Sequence, residues 1–215
     1  MNTYISTLRA ILVNYWNKRK KDAAEYLNQK NQGIYTDLHL NQLASSLADV
    51  AHSDYISALT EIDNVHKQCA QAVKKWGVLN GDDFVQSDIA LLNSGIPLTP
   101  DDFADIVERN INNATMCRLI GERVKAAKLV IRPATAEILA NADPAVKMSA
   151  YEAIFTKARN VLGSGNSIDV QQLANQLKAD YTAVIDHRFE TFCDPEQHPE
   201  FAECISVVGE GTELA

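Results

Sequence analysis

A stretch of forty residues, from Asp37 to Trp76, constrains the fold more than any other feature of this chain. It contains neither proline nor glycine, and Gly77, at which a helix can end, follows it directly. Its apolar residues recur at steps of three and four, as along one face of a helix, on both sides of an interruption between Val50 and Tyr55. The pattern predicts one long helix whose interaction face consists of Leu40, Leu43, Leu47, Val50, Leu59, Ile62, Val73 and Trp76.

The length of this helix predicts that it protrudes from the molecule or pairs along its length. Forty residues span roughly 60 Å, whereas a compact domain of this size is only roughly 35 Å across. Residues 3–31 form a second candidate helix, with an apolar face from Tyr4 to Trp16 and a stop at Gly33. We therefore predict an antiparallel helical hairpin, with another copy of the chain as the alternative partner for the long helix.

Shorter helical segments follow the hairpin. Thr99 before Pro100 and two acidic residues is a strong helix start, and we expect Ser87 to cap a short helix ahead of it. Four further helices follow, starting near Asn113, at Thr135, at Asp143 and at Ser167. The helix that starts near Asn113 is expected to end at Val130–Pro133. The predicted fold is all-α: a coiled-coil-like hairpin over 1–80, a helical bundle over 81–193, and an acidic tail with a short apolar segment over 194–215.

Charge restricts the partners that we expect. The formal net charge of −8 repels a phosphate backbone, so we expect no nucleic-acid partner. Residues 1–31 carry a net charge of +4 and residues 194–215 carry −6. These opposite ends could attract each other within a molecule or between copies, although solubility explains them more simply.

No catalytic motif is recognisable, and we expect neither enzymatic activity nor a cofactor. Phosphate-binding glycine loops, zinc-protease helices and nucleophile elbows are all absent. The adjacent acids at Asp82–Asp83 and Asp101–Asp102 fit the positive ends of helix dipoles better than a catalytic pair. A basic set at Arg118, Arg123, Lys125, Lys128 and Arg132 could in part form one stripe for phosphates or an acidic partner.

One constellation has the residue types of a zinc site: His187, Cys193, His198 and Cys204. It lacks the closely spaced pair that structural zinc sites usually contain, so exposed histidines and partly buried thiols are the favoured interpretation. The four cysteines, which include Cys69 and Cys117, form no CxxC pair, and we expect them to be reduced.

Three short motifs carry a resemblance to a protein family. They are Asp88-x2-Leu91-Leu92-x2-Gly95, Leu98-Thr99-x2-Asp102-Phe103, and Asn112-Asn113-x-Thr115-Met116-x-Arg118-Leu119-Ile120. Through these motifs, residues 88–127 resemble small helical proteins encoded among the head genes of phages of Gram-positive bacteria. A basic first helix and a long heptad-like second helix earlier in the chain match the layout of the same proteins. Many of these are presumed scaffolding or virion accessory proteins, so the resemblance implies a role in the virion or in head assembly. The chain departs from scaffolding proteins in its acidic end, because those often end in a basic capsid-binding helix.

We therefore expect a non-enzymatic structural or assembly protein that acts through helix–helix contacts, with itself or another virion protein as partner. The alternative is a phage-encoded binding protein that sequesters or inhibits a host factor. No segment reaches about 18 uninterrupted apolar residues, and the N-terminus lacks a secretory pattern. We expect the protein in the host cytoplasm or in the virion, without a membrane partner.

Overall fold

The computed structural model describes residues 3–179 and residue 189, and its described part is helical, as the sequence predicts. Within residues 3–179, eight α-helices follow one another, with one 3-10 turn at Gly81–Asp83 between the second and the third. They are α1 (Thr3–Gln32), α2 (Asp37–Trp76), α3 (Gln86–Leu92), α4 (Pro100–Arg109), α5 (Ala114–Ala127), α6 (Pro133–Asn141), α7 (Pro144–Gly163) and α8 (Ser167–Ala179).

The first two helices form the predicted hairpin. α2 is one continuous helix of 40 residues, and its start is fixed by Thr36, whose hydroxyl accepts a hydrogen bond of 3.3 Å from the His39 amide. Gly33 adopts a positive φ of 66°, which lets the chain reverse direction after α1. The local sequence signals therefore place both ends of α2 and the turn before it correctly.

One hydrophobic core joins the hairpin to the last two helices. Leu12 of α1, Ile62 of α2, Phe155 of α7 and Leu173 of α8 are all buried in it. α8 lies along α1 and α7 lies along α2, so the four helices form a bundle around one end of the hairpin. The sequence suggests a domain boundary near residue 80. Helices from both sides of this position, α1 and α2 before it and α7 and α8 after it, contribute to the same core.

A second, smaller core lies between α4, α5 and α6, and Phe103, Met116, Ile120 and Leu139 form its centre. Beside it, the buried carboxylate of Asp88 on α3 accepts hydrogen bonds from Arg109 at 2.8 Å and Asn110 at 2.6 Å. Burial alone would raise the pKa of Asp88, but these hydrogen bonds and the charge of Arg109 outweigh it and lower the pKa.

Three predicted helix boundaries are wrong. Ser87 does not cap α3, because the helix begins at Gln86 and its N-cap position is Val85, without a side-chain cap. α5 ends at Ala127, ahead of the predicted Val130–Pro133, because Lys128 turns into the left-handed conformation. α6 begins at Pro133, two residues before Thr135, since proline fits the first helical position.

Several predictions lie outside the described residues. These are the continuation of the last helix to Phe192, the zinc-like set at His187, Cys193, His198 and Cys204, and the acidic tail at 194–215.

Candidate interaction surface and apolar cavity

The eight residues predicted as an interaction face differ in exposure. Ile62, Val73 and Trp76 are buried in the core of the bundle by other helices of the same chain. Leu40, Leu43, Leu47 and Leu59 are partly buried, and Val50 is 49% exposed. Only the half of this face near the hairpin turn is therefore accessible to another molecule.

Half of the hairpin projects beyond the bundle. No described residue between Asn14 and Ser57 is buried, although these residues belong to two long helices. Tyr15, Trp16 and Tyr55 pack partly against the bundle core and mark the level at which that core ends. We call residues 14–57 the projecting hairpin; from Trp16 to Gln32 its first helix extends roughly 25 Å at 1.5 Å per residue.

Polar contacts join the two helices of the projecting hairpin. Lys18 Nζ lies 2.9 Å from Oδ1 of Asp54, and the guanidinium of Arg19 binds the other oxygen of the same carboxylate. Nearer the turn, the ring of His39 forms a hydrogen bond of 2.9 Å with the side-chain oxygen of Gln29. These contacts join the two helices in a part of the hairpin where no described residue is buried.

Apolar side chains remain exposed along this hairpin. The exposed fractions are 53% for Leu27, 75% for Ile34, 69% for Leu38 and 46% for Ile56. With Val50, these side chains occur on both helices and at the turn. These exposed apolar side chains make the hairpin a candidate interaction surface.

A separate apolar cavity lies on the other end of the molecule, between α5, α6 and the start of α7. Its volume is about 640 Å³, which is within the range of small-molecule sites. We call it the α5–α6 cavity. Its apolar lining includes Leu79, Phe84, Leu119, Val124, Ile131, Leu139 and Val146.

Arg118 and Asp143 are the partly buried charged residues in the described wall of this cavity. The guanidinium of Arg118 donates hydrogen bonds to the carbonyls of Gly77 (2.6 Å) and Trp76 (3.1 Å), at the C-terminal end of α2. A third bond runs from Nε to the carbonyl of Ala114, and the guanidinium lies 5.4 Å from the centre of the Trp76 ring. Burial lowers the pKa of Arg118, whereas the charges of Asp143 and Asp83 act in the opposite direction. All acceptors of Arg118 are neutral carbonyls, and it forms no ion pair with any residue that the structure describes.

Three of the other four members of the predicted basic stripe contact acceptors of their own chain. Arg123 binds Asn93, Lys125 pairs with Glu122, and Arg132 pairs with Asp101. The acidic pairs also have local roles, since Asp102 completes the cap of α4 and Asp83 accepts a hydrogen bond from Thr115.

The part of the chain that the structure describes holds no group of three or more His, Cys, Asp or Glu side chains arranged for a metal ion. In the same part, no helix is both long and apolar enough to cross a membrane. Cys69 and Cys117 are buried, and Sγ of Cys117 lies 3.3 Å from the carbonyl oxygen of Asn110.

Sequence reasoning missed the α5–α6 cavity. Its lining comes from four separate segments, and no spacing along the chain predicts that Leu79 and Val146 line the same cavity. The available signal was Arg118, a charged residue between the apolar positions Cys117 and Leu119 of one helix.

Comparisons with known protein families, with curated protein sequences and with solved structures find no match to this chain.

Proposed function

We propose that this protein is a non-enzymatic structural protein that associates with a second copy of itself through the projecting hairpin. The observation that carries the proposal is the absence of any buried residue between Asn14 and Ser57 in a hairpin that still bears exposed leucine, isoleucine and valine.

Helix packing explains why this hairpin needs a partner. An amphipathic helix is stabilised mainly by burying its apolar face against other elements. Near the bundle, α7 and α8 cover that face, whereas no residue from Asn14 to Ser57 is buried by the described part of the chain. A second hairpin would complete a four-helix arrangement along the projecting part and cover exposed side chains such as Leu38 and Val50.

The charges of the projecting hairpin are compatible with self-association. Residues 14–57 carry five basic and five acidic side chains, a balance of zero, whereas the whole chain has a net charge of −8. The basic residues are Lys18, Arg19, Lys20, Lys21 and Lys30, and the acidic residues are Asp22, Glu25, Asp37, Asp49 and Asp54. Two copies therefore meet here without the repulsion that the rest of the acidic surface imposes.

The resemblance of residues 88–127 to head-region proteins of phages supports a place for this association in virion or head assembly. In that setting the hairpin is the self-association element and the bundle is its base.

Sedimentation of the purified protein over a range of concentrations tests the proposal. We expect a dimer for the unaltered chain, and a dissociation constant raised at least about tenfold, or roughly 1.4 kcal/mol, by Leu38→Asp with Val50→Asp. Both side chains are exposed, so the helices themselves are expected to persist.

A matched control uses exposed apolar residues outside the hairpin. Val130 and Ile168 are 89% and 58% exposed, and Val130→Asp with Ile168→Asp adds the same two charges to the molecule. The control is expected to dimerise like the unaltered chain. A monomer at every concentration, or equal effects of the two double variants, would overturn the proposal.

A further inference from the structure

We propose that the α5–α6 cavity binds a small amphipathic molecule that has a hydrocarbon body and one carboxylate group, with Arg118 as the site for the carboxylate. This site is separate from the projecting hairpin and does not depend on self-association.

The shape and lining of the cavity indicate the hydrocarbon body. The volume of about 640 Å³ is enclosed on one side by α5 and on the other by α6, and Leu119, Val124 and Leu139 form its apolar walls. Ile131 and Val146 also line the cavity, and Val146 is 45% exposed. A hydrocarbon chain placed here removes apolar surface from water on both partners, at about 25 cal/mol per Å².

Arg118 supplies the charge that selects a carboxylate. A guanidinium has five N–H groups, and the described hydrogen bonds use one on each of its three nitrogens. All three acceptors are uncharged, so a carboxylate would be the first anion to pair directly with it. The bonds to Gly77 and Trp76, with the Trp76 ring, hold the guanidinium in place before a ligand arrives.

The remaining charged groups of the lining already have local partners. Lys125 and Glu122 form an exposed ion pair of 2.8 Å, and Asp143 accepts a hydrogen bond from the Ala145 amide as the cap of α7. The charge of Asp143 also acts on Arg118 and raises its pKa, against the larger effect of burial. Arg118 is thus the basic lining group without a carboxylate in hydrogen-bond contact among the described residues, which is why we assign the head group to it.

Calorimetric titration of the full-length protein with decanoate tests the proposal, with decan-1-ol and decyltrimethylammonium as ligands of the same chain length. We expect saturable binding of decanoate at least about tenfold tighter than binding of either other ligand, because a hydrogen bond between two charged groups is stronger than one between neutral groups. Equal affinity for the alcohol, tighter binding of the cation, or no saturable binding of decanoate would overturn the assignment.

A pair of variants locates the binding. Ala140 is an exposed residue of α6 that lines the cavity, and Ala134 is an exposed residue of the same helix that does not. We expect Ala140→Trp to weaken decanoate binding at least about tenfold by filling the cavity, and Ala134→Trp to leave it unchanged. Circular dichroism checks that both variants are folded. Binding that survives in folded Ala140→Trp, or that is lost equally in both variants, would refute this location.

A direct map completes the test. In methyl NMR spectra, decanoate is expected to shift the signals of Leu119, Val124 and Leu139 while leaving Leu38 and Val50 of the projecting hairpin unmoved. Shifts confined to the hairpin would contradict the proposal and would identify the exposed apolar surface as the place of binding.

Discussion

Arg159 of α7 donates a hydrogen bond of 2.8 Å from its Nε to Oδ1 of Asp63 on α2, across 96 residues of sequence. The same guanidinium lies with Nη2 2.7 Å from Nδ1 of His66, one turn further along α2. Because a guanidinium only donates, Nδ1 of His66 is the acceptor. Arg159 thus fixes the position of α7 along α2, on the surface beside the bundle core.

We expect Arg159→Ala to lower the free energy of unfolding by about 1 kcal/mol, because two charge-assisted bonds are lost at a partly exposed site. The control is Arg132→Ala, whose pair with Asp101 is exposed, with side-chain exposures of 68% and 75%. Its loss is expected to cost no more than about 0.5 kcal/mol. Urea unfolding measures the loss of stability in both variants. Equal losses would show that the contact of Arg159 with α2 stabilises the protein no more than an exposed ion pair does.

The buried carboxylate of Asp88 gives a larger effect. Asp88→Ala removes one of the two acceptors of the side-chain amide of Asn110. The carbonyl of Ile106 is the acceptor that remains. We expect the free energy of unfolding to fall by about 2–3 kcal/mol, since Asn110 is buried while Arg109 can regain water. Glu122→Ala, which breaks an exposed pair with Lys125, is the control and is expected to change it by less than about 0.5 kcal/mol. A similar small change for both variants would contradict the network described here.

The same carboxylate predicts a dependence of stability on pH. The pKa of Asp88 is lowered from its ordinary value of 3.8, so the folded state binds the proton less tightly than the unfolded state. The stabilisation is therefore fully present above the ordinary value and is lost as the pH falls through the lower, folded pKa. We expect the stability difference between the unaltered chain and Asp88→Asn to be constant from pH 7 to 5 and to shrink below pH 3.8. A difference that stays constant down to pH 2.5 would show that Asp88 does not carry this charge-dependent contribution.

Thr99 and Asp102 cap α4 through two reciprocal hydrogen bonds, and removal of the Thr99 hydroxyl tests this cap. The Asp102 amide donates to Oγ1 of Thr99 at 3.2 Å, and the Thr99 amide donates to Asp102 Oδ2 at 2.7 Å. We expect Thr99→Ala to lower the free energy of unfolding by about 1 kcal/mol, whereas Thr99→Ser keeps the hydroxyl and most of the stability.

The same variants report on the carboxylate. The pKa of Asp102 is lowered by the hydrogen bond from the Thr99 hydroxyl and, after it, by the bond from the Thr99 amide. NMR titration is expected to show this pKa rising in Thr99→Ala and not in Thr99→Ser. An unchanged pKa in both would mean that the hydroxyl does not reach the carboxylate in solution.

Lys128 is the described non-glycine residue with a positive φ, 53°, and it terminates α5. A left-handed conformation is costly for a residue with a Cβ atom, so we expect Lys128→Gly to stabilise the protein by about 0.5–1 kcal/mol. Lys128→Ala keeps the Cβ atom and is expected to give no such gain. Thermal unfolding compares the variants, and a loss of stability in Lys128→Gly would show that the strain is absent.

The sequence by itself determined the local structure. The stretch from Asp37 to Trp76 contains no helix breaker, Thr36 and Thr99 carry capping hydroxyls, and Gly33 permits the left-handed turn; each signal acts within a few residues. Where a boundary depends on weaker preferences it is misplaced, as at Ser87, and at Lys128, whose residue type does not indicate a left-handed cap.

Only the tertiary structure decided what covers each apolar face. Val50 and Ile62 belong to the same helical row, yet Ile62 is fully buried by the bundle and Val50 is half exposed on the projecting hairpin. Periodicity shows that a face is apolar, but its burial depends on helices more than eighty residues further along the chain. The α5–α6 cavity has the same origin, because Leu79 and Val146 line one cavity only after α7 has packed against α2. Local forces fix helices one at a time, whereas surfaces and cavities arise from contacts between residues distant in sequence.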